Sequence, residues 1–152
     1  MSRKEQIQKD FVQAFKEKNE AKKAALSAVK AKITEAEKVK SGNQVGDNEV
    51  LKIVAASIKQ RKQSIDAFNQ GGRHDLADKE QQEIDVLQEY LPKQMTREEI
   101  TTAAREIIQT MPGVETNPRA LIGKTMGAFG KKYVGQADMK TVKEVVEKLI
   151  SE

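Results

Sequence analysis

The spacing of the apolar residues constrains the fold of this chain more than any other feature of its sequence. Apolar side chains recur every three or four residues almost throughout, and no stretch shows the strict alternation that is typical of a half-buried strand. Glycine, asparagine and proline interrupt the pattern at intervals that suit helix ends. We therefore predict an all-α fold.

The first 91 residues are predicted to form an N-terminal domain of long helices. The first helix is expected to bury Ile7, Phe11 and Phe15 on one face, and the second to run from Ala21 to Lys40. Gly42, Asn43 and Gly46 are expected to end the second helix, because glycine and asparagine accept the left-handed conformation that closes a helix. The inward residues of the second helix are predicted to be Leu26, Val29 and Ile33.

Asp47 is predicted to cap a third helix, which Gly71-Gly72 would end. A fourth helix is expected to begin near Asp75 and to end within one or two residues of Leu91, since a proline disfavours helical geometry in the residue before it. The inward residues of these two helices are predicted to be Leu51, Val54, Ile58, Ile65, Phe68, Leu76, Ile84, Leu87 and Leu91.

A second domain, a small three-helix bundle over residues 92–152, is predicted from a change in composition at Pro92. All three prolines and five of the nine glycines lie in the last 61 residues. Thr96 to Glu99 forms a capping box, Pro112-Gly113 is expected to end that helix, Asn117-Pro118 to start the next, and Asp138 to cap the last. The core of this domain is predicted from Ile100, Ile107, Leu121, Phe129, Val142, Val146 and Leu149.

The composition excludes several classes of protein. The chain has no cysteine, which removes disulfides, thiolate chemistry and zinc-cysteine sites. The longest apolar run is four residues, 53–56, far below the roughly 20 that cross a bilayer, and no apolar signal region follows Met1. We expect a cytoplasmic protein without membrane contact.

Positive charge is concentrated in stretches that contain no carboxylate. Residues 116–137 carry Arg119, Lys124, Lys131 and Lys132 with no acid, and residues 51–64 are also basic and free of acids. Such stretches attract phosphate groups, although solvated helix faces have the same composition.

Gly123, Lys124 and Thr125 resemble the end of a phosphate-binding loop, but Pro118 stands where that motif needs its first glycine. The helical spacing of Gly123 and Gly127 favours another interpretation. Both glycines would lie on one helix face and allow the backbone of another helix, or a sugar-phosphate chain, to approach closely. Gly135 is assigned the same role.

No self-contained catalytic or metal site is predicted. His74 is the only histidine, and the neighbouring Asp75 and Asp78 are explained by the preference of carboxylates for the first turn of a helix. Ser64 has no histidine nearby in sequence and lies in no nucleophile-elbow motif. We expect no cofactor.

The segment 59–95 contains an unusual string of charged helices, a Gly-Gly break and a Leu-Pro boundary. It resembles the signature of the YqeY family, whose members are similar to the tail of GatB, a subunit of the glutamine-dependent tRNA amidotransferase. A second match covers 122–129 and 135–138. The residues that carry the first match are Gln60, Arg61, Lys62, Ser64, Ile65, Phe68, Gly72, Arg73, Asp75, Leu76, Lys79, Glu80, Glu83, Leu87, Glu89, Tyr90, Leu91, Pro92 and Gln94.

The resemblance implies a noncatalytic module of GatB/YqeY type that binds tRNA, because in the amidotransferase the tail grips the outer corner of tRNA while other domains transfer the amide. The contact would be made by Arg119, Lys124, Lys131, Lys132 and Lys140. Two alternatives stay open: a protein-interaction adaptor or self-association through the N-terminal helices, and an accessory role in glutamine-dependent carbon-nitrogen ligation.

Overall fold

The computed structural model of the chain describes residues 2–111 and 117–151. These residues form seven α-helices and no strand, which confirms the all-α prediction. The helices are α1 Arg3–Glu17, α2 Glu20–Val39, α3 Asp47–Gln70, α4 His74–Gln88, α5 Arg97–Thr110, α6 Pro118–Lys132 and α7 Met139–Ser151.

Contacts within the chain divide it into two compact units, Met1–Leu91 and Pro92–Glu152. We call them unit 1, which contains α1 to α4, and unit 2, which contains α5 to α7. Whether either unit folds without the other stays a prediction.

In unit 1, α4 packs against α2 and α3, and α1 packs against the same two helices. The core comprises Ile7, Ala25, Leu26, Val29, Ile33, Val45, Val50, Val54, Ile58, Ile84, Leu87 and Tyr90.

The prediction that Phe15 is buried was wrong. Phe15 is 61% exposed, while Ile7 and Ala14 are fully buried and Phe11 is partly buried against the core. α1 ends two residues later and α2 begins at Glu20, so the two helices meet at a tight connection where the small Ala14 takes the inward position. One face of the exposed Phe15 ring contacts Lys23, whose Nζ lies 4.7 Å from the ring centroid.

Asp47 does not cap α3, contrary to the prediction. It is the first residue of the helix, and Gly46 precedes it without a side-chain bond. The Asp47 carboxylate accepts a hydrogen bond from the backbone N–H of Arg3 at 3.0 Å, because this distant donor is also an unpaired amide at a helix start.

Arg3 is also bonded to the end of unit 1. Its guanidinium donates to the carbonyl of Tyr90 at 2.8 Å, and the Tyr90 hydroxyl donates to Asp10 at 2.5 Å. Burial and the Asp10 carboxylate raise the pKa of Tyr90, so its hydroxyl remains a donor.

α4 ends at Gln88, three residues before Leu91, whereas we predicted an end within one or two residues of Leu91. The backbone N–H groups of Tyr90 and Leu91 donate to the carbonyls three residues earlier and complete the last turn.

Unit 2 is a bundle in which α5, α6 and α7 each contact the other two. The capping box at Thr96 and Glu99 is present, Asn117 caps α6 with Pro118 as the first helical residue, and the Asp138 carboxylate accepts from the Lys140 N–H at 3.1 Å. The predicted end at Pro112-Gly113 lies outside the described residues. The core comprises Ile100, Ala103, Ala104, Ile107, Phe129, Val142, Val145 and Val146.

Candidate functional site

One face of α6 is exposed along its whole length. It carries Ala120, Gly123, Lys124, Gly127 and Lys131, whose spacing places them on one side of the helix. Leu121, Thr125 and Phe129 are buried on the core side. We call the exposed set the α6 face; at 1.5 Å per residue its two lysines lie about 10 Å apart along the axis.

The two glycines of the α6 face are open to their surroundings. A Cβ placed at Gly123 or Gly127 would meet no atom within 4 Å among the described residues. The interpretation that another helix of this chain packs there has no support in 2–111 or 117–151. As far as the described residues go, a molecule outside the chain could occupy this space.

Gly135 lies in a turn between α6 and α7. Its φ is +70, in the left-handed region that favours glycine, and its carbonyl accepts from the Gln94 side chain at 2.7 Å. The next residue, Gln136, accepts from the Met95 N–H at 2.7 Å. This turn therefore joins the segment before α5 to the segment before α7.

The candidate cations are only partly brought together. Lys124 and Lys131 share the α6 face, Arg119 and Lys132 lie on opposite flanks of the same helix, and Lys140 is in the first turn of α7. All five are exposed. The ion pairs of unit 2, among its described residues, are Arg97–Glu144 and Lys143–Glu147, so none of the five cations is neutralised by a carboxylate there.

Thr125 does not have the environment of a phosphate-binding loop. Its side chain is fully buried, and its hydroxyl donates to the sulfur of Met111 at 3.7 Å. The hydroxyl is therefore inaccessible to a nucleotide or its metal ion.

The residues around His74 have local partners. The His74 Nδ1 lies 2.8 Å from the Asn69 side-chain oxygen, and Arg73 donates twice to Asp75, each at 3.1 Å. The Arg73 guanidinium holds the pKa of the Asp75 carboxyl below its ordinary range. Ser64 donates to the carbonyl of Gln60 at 3.2 Å. These contacts belong to helix ends and helix turns.

Three charged residues of the segment 59–95 meet between α3 and α4. The Arg61 Nη1 donates to Glu80 at 3.0 Å and to Glu83, whose side chain is only 7% exposed. Burial raises the pKa of the Glu83 carboxyl, against the attraction of Arg61. The Arg61 Nε is buried with no hydrogen-bond partner among the described residues. One signal of this cluster is present in the sequence: residues of opposite charge lie on either side of a Gly-Gly turn. We predicted no role for these residues from that signal.

A model of the family described as Yqey-like protein matches residues 4–150. The chain belongs to this family. The match spans both units of the YqeY-like chain, which confirms the resemblance found in the sequence. No helix among the described residues has the length and apolarity needed to cross a membrane.

Two curated proteins are similar to this YqeY-like chain. A Schizosaccharomyces pombe protein described as uncharacterized is 43% identical over 47 residues, which are 31% of this chain and 38% of the yeast protein. The Pyrenophora tritici-repentis protein named Altered inheritance of mitochondria protein 41, mitochondrial, is 27% identical over 143 residues, covering 92% of this chain and 78% of that protein.

Proposed function

We propose that this YqeY-like chain is a noncatalytic tRNA-binding module, and that it contacts the sugar-phosphate backbone through the α6 face of unit 2. The observation that carries the proposal is that Lys124 and Lys131 share an exposed helix face with Gly123 and Gly127. The two glycines leave open space beside the helix backbone. A helix face with this composition lets a phosphate chain approach the helix backbone while two ammonium groups reach it.

The charges of the region support the same contact. The described part of the acid-free stretch, 117–137, carries four cations, and those at positions 131 and 132 stand in the last turn of α6. Binding of this kind reads phosphates and shape rather than bases. The resemblance to the GatB tail supports tRNA as the RNA class.

Replacing Lys124, Lys131 and Lys132 together by alanine is expected to weaken binding to total tRNA. Each lost phosphate contact removes about 0.7 to 0.9 from the slope of log affinity against log salt, so the triple variant should flatten the slope by roughly two units. Mobility shifts over a salt series measure it.

The matched control is Lys52, Lys59 and Lys62 to alanine, three exposed lysines of α3 in the other acid-free stretch. Lysines of α2 are less suitable, since Lys23 and Lys30 lie 4.7 and 4.2 Å from the ring centroids of Phe15 and Phe11, closer than the 5.5 Å between Lys132 and the Tyr133 ring. Equal weakening by both triples would mean nonspecific attraction to a basic protein. The proposal would be refuted if the wild-type chain did not bind tRNA at low salt.

Gly127→Leu separates close approach from charge. Gly127 is exposed and a Cβ there meets no described atom within 4 Å, so the free energy of unfolding should stay the same or rise by up to about 1 kcal/mol, because glycine is unfavourable inside a helix. Affinity for tRNA should fall while the salt slope stays unchanged, since no charge is removed. Thermal unfolding and mobility shift of the same preparation test both expectations. Unchanged affinity would show that no backbone approaches this glycine.

We also propose the cytoplasm as the compartment, on the cysteine-free composition. The Pyrenophora relative carries mitochondria in its name. Imaging of a C-terminally tagged full-length protein distinguishes the two compartments.

A further inference from the structure

A groove of about 660 Å³ lies on unit 1 between α2 and α3, next to Glu80 of α4. Each of the two helices contributes one face about three turns long, 28–39 of α2 and 53–64 of α3. Small side chains such as Ala28, Ala56 and Ser57 line it. The groove is therefore long enough for a helix of three turns and shallow enough at these positions for its backbone to come close.

The α2 side of the groove leaves an apolar residue unprotected. Val39 is 86% exposed and lines the groove, although valine is ordinarily buried. Lys32 and Glu35, on the same face, are 60% and 70% exposed and lie 3.7 Å apart. The rim thus offers one charge of each sign beside an exposed apolar side chain, which suits a protein helix and does not suit a nucleic acid.

The groove face of α2 is complementary to itself. If two copies of α2 cross antiparallel about a two-fold axis between residues 33 and 34, Lys32 of each copy lies opposite Glu35 of the other. The same register places Val39 opposite Ala28, a large apolar residue against a small one. A two-fold interface requires this reciprocity.

We propose that the occupant of the groove is α2 of a second copy of this chain, so that two chains form an antiparallel dimer through unit 1. Each α2 lies in the groove of the other copy, Val39 is covered by Ala28 and α3, and Lys32 pairs with Glu35 across the axis. The proposal is independent of the RNA contact, which lies on unit 2.

The register can be tested with charge reversals in the full chain. In a dimer of Lys32→Glu chains, the new acid of each copy faces Glu35 of the other copy. In a dimer of Glu35→Lys chains, the new base of each copy faces Lys32 of the other copy. Each single variant should dimerise at least about tenfold more weakly than wild type, because opposed like charges are strongly unfavourable at an interface. An equimolar mixture of the two variants should dimerise again, since each acid then faces a base. The double variant K32E/E35K should also dimerise.

Sedimentation measures the result as a change from twice the 17.0 kDa chain mass to one chain mass. Both side chains are exposed, so at concentrations low enough for wild type and variants to be monomeric, far-ultraviolet circular dichroism should show the same melting for all of them. A wild-type chain that stays monomeric at its highest soluble concentration would overturn the proposal. A dimer that neither single variant weakens, or that the mixture fails to restore, would overturn the register and with it the proposal.

Cross-linking gives an independent readout, since the wild-type chain has no cysteine. A mixture of Ala28→Cys and Val39→Cys chains should form a disulfide-linked heterodimer on mild oxidation. Val39→Cys alone should form much less, because the antiparallel register keeps the two copies of position 39 apart. Equal cross-linking of Val39→Cys alone and of the mixture would overturn the register.

Discussion

Replacing Arg61 by methionine should lower the free energy of unfolding of unit 1 by about 3–5 kcal/mol. Arg61 is the cation that faces both Glu80 and the buried Glu83, and methionine keeps much of its volume without its charge. Two carboxylates would remain at one site, one of them nearly inaccessible to water. Urea unfolding followed by circular dichroism measures the loss.

The same variant should be more sensitive to pH than wild type. Burial already raises the pKa of Glu83 above its ordinary value of 4.5. Because the pKa is raised in the folded state, the stability that this group contributes is fully present at pH values below 4.5. That stability is lost as the pH rises through the folded-state pKa. Removing Arg61 raises that pKa further, so the deficit of the variant should be larger at neutral pH than in mild acid.

Two controls distinguish the buried charge from a general effect. Glu83→Gln removes the buried carboxylate and leaves Arg61 paired with Glu80, so it should cost much less than Arg61→Met. Arg73→Ala breaks an exposed pair with Asp75 and should change stability by less than about 1 kcal/mol. A loss for Arg61→Met no larger than for Arg73→Ala would contradict the structural role of the cluster.

Replacing Phe129 by alanine should unfold most of unit 2 and leave unit 1 folded. Phe129 is fully buried, and its ring centroid lies 4.9 Å from that of Tyr133. Truncating a buried phenylalanine costs about 3–5 kcal/mol, which is comparable to the whole stability expected of a domain this small. Hydrogen exchange resolved by peptide should show lost protection in α5, α6 and α7 only.

Phe129→Leu is the matched control, because it keeps an apolar side chain in the same place and should retain folded helices in unit 2. The experiment also tests whether the two units fold independently. Loss of protection in α1 to α4 of the alanine variant would show that unit 1 needs unit 2.

Local patterns predicted much of this fold because helix spacing and caps depend on neighbouring residues. The capping box at Thr96 and the cap at Asn117 were read from three or four consecutive residues. The predictions for Phe15 and Asp47 were wrong because the packing of unit 1, which the local pattern does not show, decided both positions. The inward position near the end of α1 is taken by Ala14, and the Asp47 carboxylate is bonded to a residue 44 positions away.

The candidate site shows the same limit. Spacing alone placed Gly123, Lys124 and Gly127 on one face of a helix, but only the packed bundle shows that no residue in 2–111 or 117–151 closes over the two glycines. Arg61 and Glu83 are 22 residues apart, and their contact needs the turn between α3 and α4 to bring the helices side by side. A charge pattern does not reveal such a pairing until the topology is known.

The bond from Arg3 to Tyr90 joins residues that lie near the two ends of unit 1, 87 positions apart. During synthesis, the early helices of unit 1 can form while the chain emerges, but this contact must wait until Tyr90 has left the ribosome. The bond to Asp10 forms equally late, since its donor is the Tyr90 hydroxyl. Unit 1 therefore completes its packing only after its last residues have emerged, so its exposed apolar surface must be tolerated for the whole time its sequence is being made.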